Sequence, residues 1–181
     1  MPLTVTPNEE TVITALRAFL ADVVPADFEI VQAQGNKVPE PRSPNFILTT
    51  MLRRSRLATN VSVDGGLVDD FPTESLVFQP TQFDYQIDVH GDLGGDAAQI
   101  ITTTMRDPYA TTFFELNSPE VSPLYANDPR QMPFTNGEQQ YENRWVVEIS
   151  LQVDPSISYP QQYANTLTIV PVSVEADFPP Q

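Results

Sequence analysis

The sequence predicts an α+β fold, an antiparallel sheet of about four to five main strands with helices packed on one face. Three patterns carry this prediction. Phe83, Tyr85, Ile87 and Val89 fall on one face of a segment whose other face holds Gln82, Asp84, Gln86, Asp88 and His90, the period of two of a strand with one dry side. A second segment alternates in the same way: Tyr141, Trp145, Val147, Ile149, Leu151 and Val153 inward, Glu142, Arg144, Glu148, Ser150 and Gln152 outward, with Val146 the apolar exception. Near the N-terminus, Val12, Ile13, Leu16, Phe19, Leu20 and Val23 recur at helical spacing and form one stripe suited to lie across a sheet.

The first helix is predicted to start at Thr6-Pro7-Asn8-Glu9, read as a capping box with Thr6 as the N-cap, and to end near Val24-Pro25. Residues 27–34 form the next predicted strand, followed by an exposed loop with Pro39, Pro41 and Pro44. Residues 45–63 read as one long strand or a bent pair, with Ile47, Thr49 and Met51 on one side and Phe46, Leu48 and Thr50 on the other. Asp64-Gly65-Gly66 breaks that pattern, and residues 64–76 read as an extended, mobile acidic loop carrying Asp64, Asp69, Asp70 and Glu74. After the first alternating strand, Gly94-Gly95-Asp96 supplies a turn and cap for a helix with Ala97, Ile100, Ile101 and Met105 inward. Asp107-Pro108 restarts a short helix, with Tyr109, Phe113 and Phe114 as core anchors. Asn136-Gly137 predicts a tight hairpin before the second alternating strand, and residues 166–176 a final strand whose Pro171 implies an edge or a bulge.

With 181 residues and no internal repeat, the chain is expected to form one domain, residues 1–181, able to bury roughly 70% of the surface its unfolded form exposes. It contains no cysteine, which excludes disulfides, thiolate nucleophiles and cysteine metal sites and fits assembly in a reducing cytoplasm. No apolar run approaches the ~20 residues of a membrane span and MPLTVTPNEE lacks the features of a signal peptide, so the chain reads as soluble and unprocessed. Its net charge of −15 is uneven. Residues 1–60 are balanced, and the remaining 121 carry three basic and eighteen acidic residues. Duplex affinity comes from Lys and Arg neutralising phosphates, so tight DNA binding is excluded over most of such a surface.

Little in the chain suggests chemistry. His90 is the only histidine, which rules out a three-histidine metal site, and it reads as a polar strand-end side chain. Gly91-Asp92-Leu93-Gly94-Gly95 leads into a helix, but it lacks the P-loop lysine, and Asp92 and Asp96 oppose a phosphate there. Asp64, Asp69, Asp70 and Glu74 have ligand atoms suited to calcium but not the spacing of an EF-hand loop, and a solvated acidic loop accounts for them. Residues 41–63 hold Arg42, Arg53, Arg54 and Arg56 and no acidic residue. In so acidic a chain this strip is a candidate docking surface for an acidic neighbour, including another copy; a strand edge guarded by charge is the alternative.

Taken together, NFILTTMLRRSRLATNV, FDYQIDVHG, MRDPYATTFF and DPRQMPFTNGEQQYENRW, with the alternating strand that follows, resemble the neck or tail terminator proteins of tailed bacteriophages. The likeness is clearest over residues 45–153. It implies an α+β protein without catalytic residues or cofactors, located in the virion neck and assembled in the host cytoplasm. Such a protein forms a sixfold ring of identical copies between the last ring of tail-tube protein and the neck connector or stopper protein. In contractile tails it also meets the sheath protein. DNA passes through the ring without specific binding. Six copies would bring about 90 formal negative charges to the channel region, which suits passage without adhesion. Arg42, Arg53, Arg54 and Arg56 are then expected to meet an acidic face of a neighbour. Another neck component, such as a head-completion or stopper protein, is the nearest alternative. A calcium-assisted carbohydrate-binding module, motivated by Trp145, the tyrosines and the acidic loop, is an alternative of a different class.

Overall fold

The computed structural model describes residues 3–33, 41–68, 71–135, 141–160 and 168. The elements run β1 (Val5–Thr6), α1 (Glu9–Val23), β2 (Glu29–Gln32), β3 (Phe46–Arg56), β4 (Val61–Val68), β5 (Phe71–Phe78), β6 (Thr81–His90) and α2 (Gly94–Met105). They continue with α3 (Pro108–Asn117), β7 (Val121–Ala126), β8 (Arg130–Gln131), β9 (Phe134–Thr135), β10 (Tyr141–Glu142), β11 (Arg144–Val153) and β12 (Ser156–Pro160).

The predicted α+β class holds, and its main sheet is built around the two alternating strands. The order is β2-β3-β6-β11-β7, with β8 also pairing with β11. Strand β6 is central, paired antiparallel along its whole length with β11, from Arg144 opposite His90 to Val153 opposite Thr81, and with β3 on its other side. The three helices cover one face. Ile47, Phe83, Tyr85, Ile87, Val89, Val147, Ile149, Leu151 and Val153 are buried there against Val12, Ile13, Leu16, Phe19 and Leu20 of α1 and Ala97, Ala98 and Ile101 of α2. Phe19 of α1 stacks on Phe114 of α3, ring centroids 5.4 Å apart, and meets the edge of Phe113 at the same distance. Fully burying such side chains contributes roughly 1.5–3 kcal/mol each, so this face holds the fold together.

Two features extend the expected sheet. The short strand β2 lies parallel to β3, with Glu29 opposite Phe46. A second sheet, β1-β12-β5-β4, packs beside the first. It corrects the reading of residues 64–76 as a loop: β4 and β5 form an antiparallel ribbon with Val61 opposite Phe78 and Asp64 opposite Ser75. The valines at 61 and 63 and the apolar run at 76–78 outweigh the turn-forming composition between them. The predicted long strand 45–63 is divided accordingly, with β3 ending at Arg56 in the first sheet and β4 starting at Val61 in the second.

Local details differ as well. The N-cap of α1 is Asn8, whose side chain accepts a hydrogen bond from Thr11 N at 2.9 Å, while Thr6 is paired in β1 with Ser156. Either residue type can cap, and the pairing of β1 with β12 decides which one does. The N-cap of α2 is Leu93, with no side-chain cap, and Gly94 and Gly95 lie inside the helix. The turn falls on Gly91, at φ 103°. A Cβ on Gly95 would come within 3.2 Å of the Trp145 indole, so this glycine lets α2 lie directly on that ring. Asp107 caps α3 as expected, accepting from Tyr109 N at 3.0 Å. Ile100, Tyr109 and Tyr141, expected inward, are exposed, and the Tyr109 hydroxyl donates to Asp22 instead of entering the core. The Asn136-Gly137 hairpin lies outside the described residues, as does the final strand at 166–176 apart from Thr168, which is irregular and exposed.

Candidate functional site

Strand β3 delivers the basic strip, and an irregularity in it decides where each arginine goes. Ile47, Thr49 and Met51 sit opposite Val89, Ile87 and Tyr85 of β6, on the helix-covered face. The register then shifts, Leu52 is the extra residue, and Arg53 lies opposite Asp84 and Arg54 opposite Phe83. Adjacent arginines therefore serve opposite faces in a way unbroken alternation would have reversed. Arg53 Nε donates to Asp84 Oδ2 at 2.6 Å on the face away from the helices. Arg54 pairs with Glu9 of α1 and lies over the Phe83 ring, 4.7 Å from its centroid. Arg56, opposite Thr81, lines a cleft between the two sheets. Arg42 lies before the other end of β3, where its backbone N–H donates to Glu29 at 2.7 Å. The structure thus brings Arg54 and Arg56 together and separates Arg53 and Arg42 from them.

The helix-free face of the main sheet is polar but largely closed to water. Asp84 and Asp88 are each 5% exposed, and His90 is 6%. Asp84 accepts from Arg53, from Ser150 Oγ at 2.6 Å and from Gln82 Nε2 at 2.6 Å. Burial would raise its pKa, but the hydrogen bonds from Ser150, Arg53 and Gln82 and the Arg53 charge outweigh burial and hold the carboxyl below its ordinary value. Asp88 receives Arg144 at 2.9 Å and the amide of Gln86 at 3.0 Å. Glu148 receives Arg130 at 2.9 Å and Asn127 at 3.0 Å. His90 stacks on Phe46, centroids 4.4 Å apart, and its Nδ1 lies 2.8 Å from Glu142 Oε1. It is a strand-end side chain, as read, and a packed one. Sequence reasoning placed these residues outward and missed that they bury one another. The signal was the registered sequence of Arg, Asp and Glu on three adjacent strands, which appears only once pairing is known.

Ion pairs on this face and elsewhere in the fold consume most of the chain's positive charge. Arg53, Arg54, Arg106, Arg130 and Arg144 all form ion pairs with carboxylates. Among the described residues, Arg17, Arg42 and Arg56 make none, and Arg17 donates to the Ile30 carbonyl instead. The carboxylates that remain, in a chain with 24 acidic and 9 basic residues, dominate the outer surface.

Of the acidic segment, Asp64 and Glu74 lie in paired strands, and Asp69 and Asp70 lie outside the described residues. Asp64 is opposite Ser75 and Glu74 opposite Gly65, so the two carboxylates point to opposite faces of the ribbon. Glu74 accepts from Ser158 Oγ at 3.0 Å. Among the described residues there is no group of three or more side chains suited to hold a metal ion. No helix among them is long and apolar enough to cross a membrane.

The cleft at Arg56 has a volume of about 400 Å³, and Val5, Val77, Phe83 and Ile157 give it apolar walls. A second hollow of about 410 Å³ on the polar face is bordered by Leu52, Arg53, Asp84, Asn127, Glu148 and Ser150. In the second hollow the Ser150 hydroxyl is committed to Asp84, whose carboxylate is in turn held by Arg53 and Gln82, and neither hollow is lined by a histidine or a cysteine that would activate it. Residues 10–177 match the model of a protein family described as phage neck terminator protein. No curated protein matches the chain.

Proposed function

The chain belongs to the phage neck terminator family, a structural protein family of the virion neck, and from that premise we propose that identical copies form a ring capping the head-proximal end of the tail tube. The ring stops tube growth and offers the head connector its docking surface. The observation that carries this reading is the disposition of charge. Five arginines are consumed in ion pairs within the fold, so a ring of copies presents an acidic surface to DNA and leaves the duplex free to pass. Arg53 and Arg54 act within the subunit first. Among the four arginines of the basic strip, Arg42 and Arg56 remain to meet an acidic neighbour. The packing of Trp145 against Gly95 leaves its indole unsuited to stack on a sugar, which removes the motive for a carbohydrate-binding role.

Electron microscopy of particles made without this protein tests the reading. Tails of abnormal length, or tails separated from filled heads, are the expected result. Normal tails beside heads that leak DNA would instead assign the chain to the plug of the connector.

A further inference from the structure

The cleft between the two sheets has the make-up of a groove for an extended peptide. Its walls are apolar, and Arg54 and Arg56 are its cations. Glu9 engages Arg54, which leaves Arg56 to a visitor. Such a groove fits a strand with one apolar edge and a carboxylate on the other edge. The chain holds one such run beyond its last described strand. Val170, Val172, Val174, Ala176 and Phe178 alternate with Pro171, Ser173, Glu175 and Asp177. Strand β12 points away from the cleft: Ile157 lines it, and the strand leaves it to end at Pro160, opposite Glu74. A strand supplied by one copy to the groove of the next makes a head-to-tail contact, the kind that closes into rings.

We infer that the cleft receives residues 170–178 of a second copy of the chain, with Arg56 pairing with Glu175 or Asp177. This deepens the ring reading and rests on it for the identity of the visitor.

The chain contains no cysteine, which permits a clean test. Full-length Asn60→Cys, at the cleft, is mixed with full-length Ser173→Cys under mild oxidation. A mixed disulfide between the two variants is expected. Adding Arg56→Glu to the first chain should lower its yield about tenfold, as loss of a charge pair at a contact does. Glu175→Arg with Asp177→Arg on the second chain should restore it. If Arg56→Glu impairs folding, Arg56→Gln should still lower the yield. Absence of the mixed disulfide, a bond that forms only within a chain carrying both cysteines, or indifference to Arg56 would each overturn the inference. Absence of the bond with normal tail termination in virions would leave the ring reading intact. A mixed bond in a protein that never forms rings would spare the groove and remove the ring.

Discussion

The two sheets of this molecule are closed by different means. In the six-stranded sheet, eight of the ten residues of β6 are buried, under helices on one face and under paired charges on the other. In the four-stranded sheet, Ser75 alone is buried among the described residues, and Val61 and Val63 are 52% and 48% exposed. One sheet therefore completes itself, while the described side chains of the other form no core of their own. The difference separates rigidity from capacity for contact: a self-satisfied frame carries a ribbon whose Val61 and Val63 face solvent, and in the proposed ring that ribbon is the surface offered to neighbours.

Substitutions on the two sheets should separate these roles. The largest effect is expected at Ile87, fully buried at the centre of β6, where Ile87→Ala should lower unfolding free energy by about 3–4 kcal/mol in urea titrations. A loss under about 1 kcal/mol there would mean that the main sheet is not the frame. A smaller effect belongs to the polar face. The folded-state pKa of Asp84 lies below its ordinary value of 3.8, so its contribution is complete above the pKa of the unfolded chain and disappears as pH falls through the folded one. Asp84→Asn should cost roughly 1 kcal/mol at neutral pH and flatten the fall in stability below about pH 4. An unchanged acid limb would show that the face is held by something other than this network. The smallest effect on the isolated subunit is expected on the ribbon. Val63→Ser should change monomer stability by no more than about 0.5 kcal/mol while weakening ring assembly in sedimentation, and an equal loss in both would erase the distinction between the sheets.

The helix-covered face could be read from sequence because burial on one side imposes a strict period. Phe83, Tyr85, Ile87 and Val89 had no other arrangement open to them, nor did the stripe of α1. The reading failed where a residue's place depends on a partner distant in sequence. Asn8 caps α1 because Thr6 is taken by Ser156, and Gly95 serves α2 as a flat place against Trp145, where a Cβ would crowd the indole, and not as a turn. The ribbon at 61–78 was missed because its valines and its Asp-Gly-Gly run give opposed local signals, and pairing with β12 decides between them. Of the candidate site, the basic strip was visible as composition. Its division was not, since Arg53 and Arg54 are neighbours in the chain and a single added residue sends them to opposite faces.

That added residue also sets the strand's tolerance of deletion. β3 is one residue longer than its pairing with β6 requires, and the surplus sits at Leu52. Deleting Leu52 would leave Arg53 opposite Asp84 and Arg54 opposite Phe83, because the straightened strand falls into the same register. Elsewhere in β3 a lost residue would turn half the strand inside out unless the surplus at 52 were drawn in to absorb it. The strand thus carries a reserve of one residue, and over the history of such a chain the loss of a single codon on the N-terminal side of Arg53 can be absorbed without displacing either arginine.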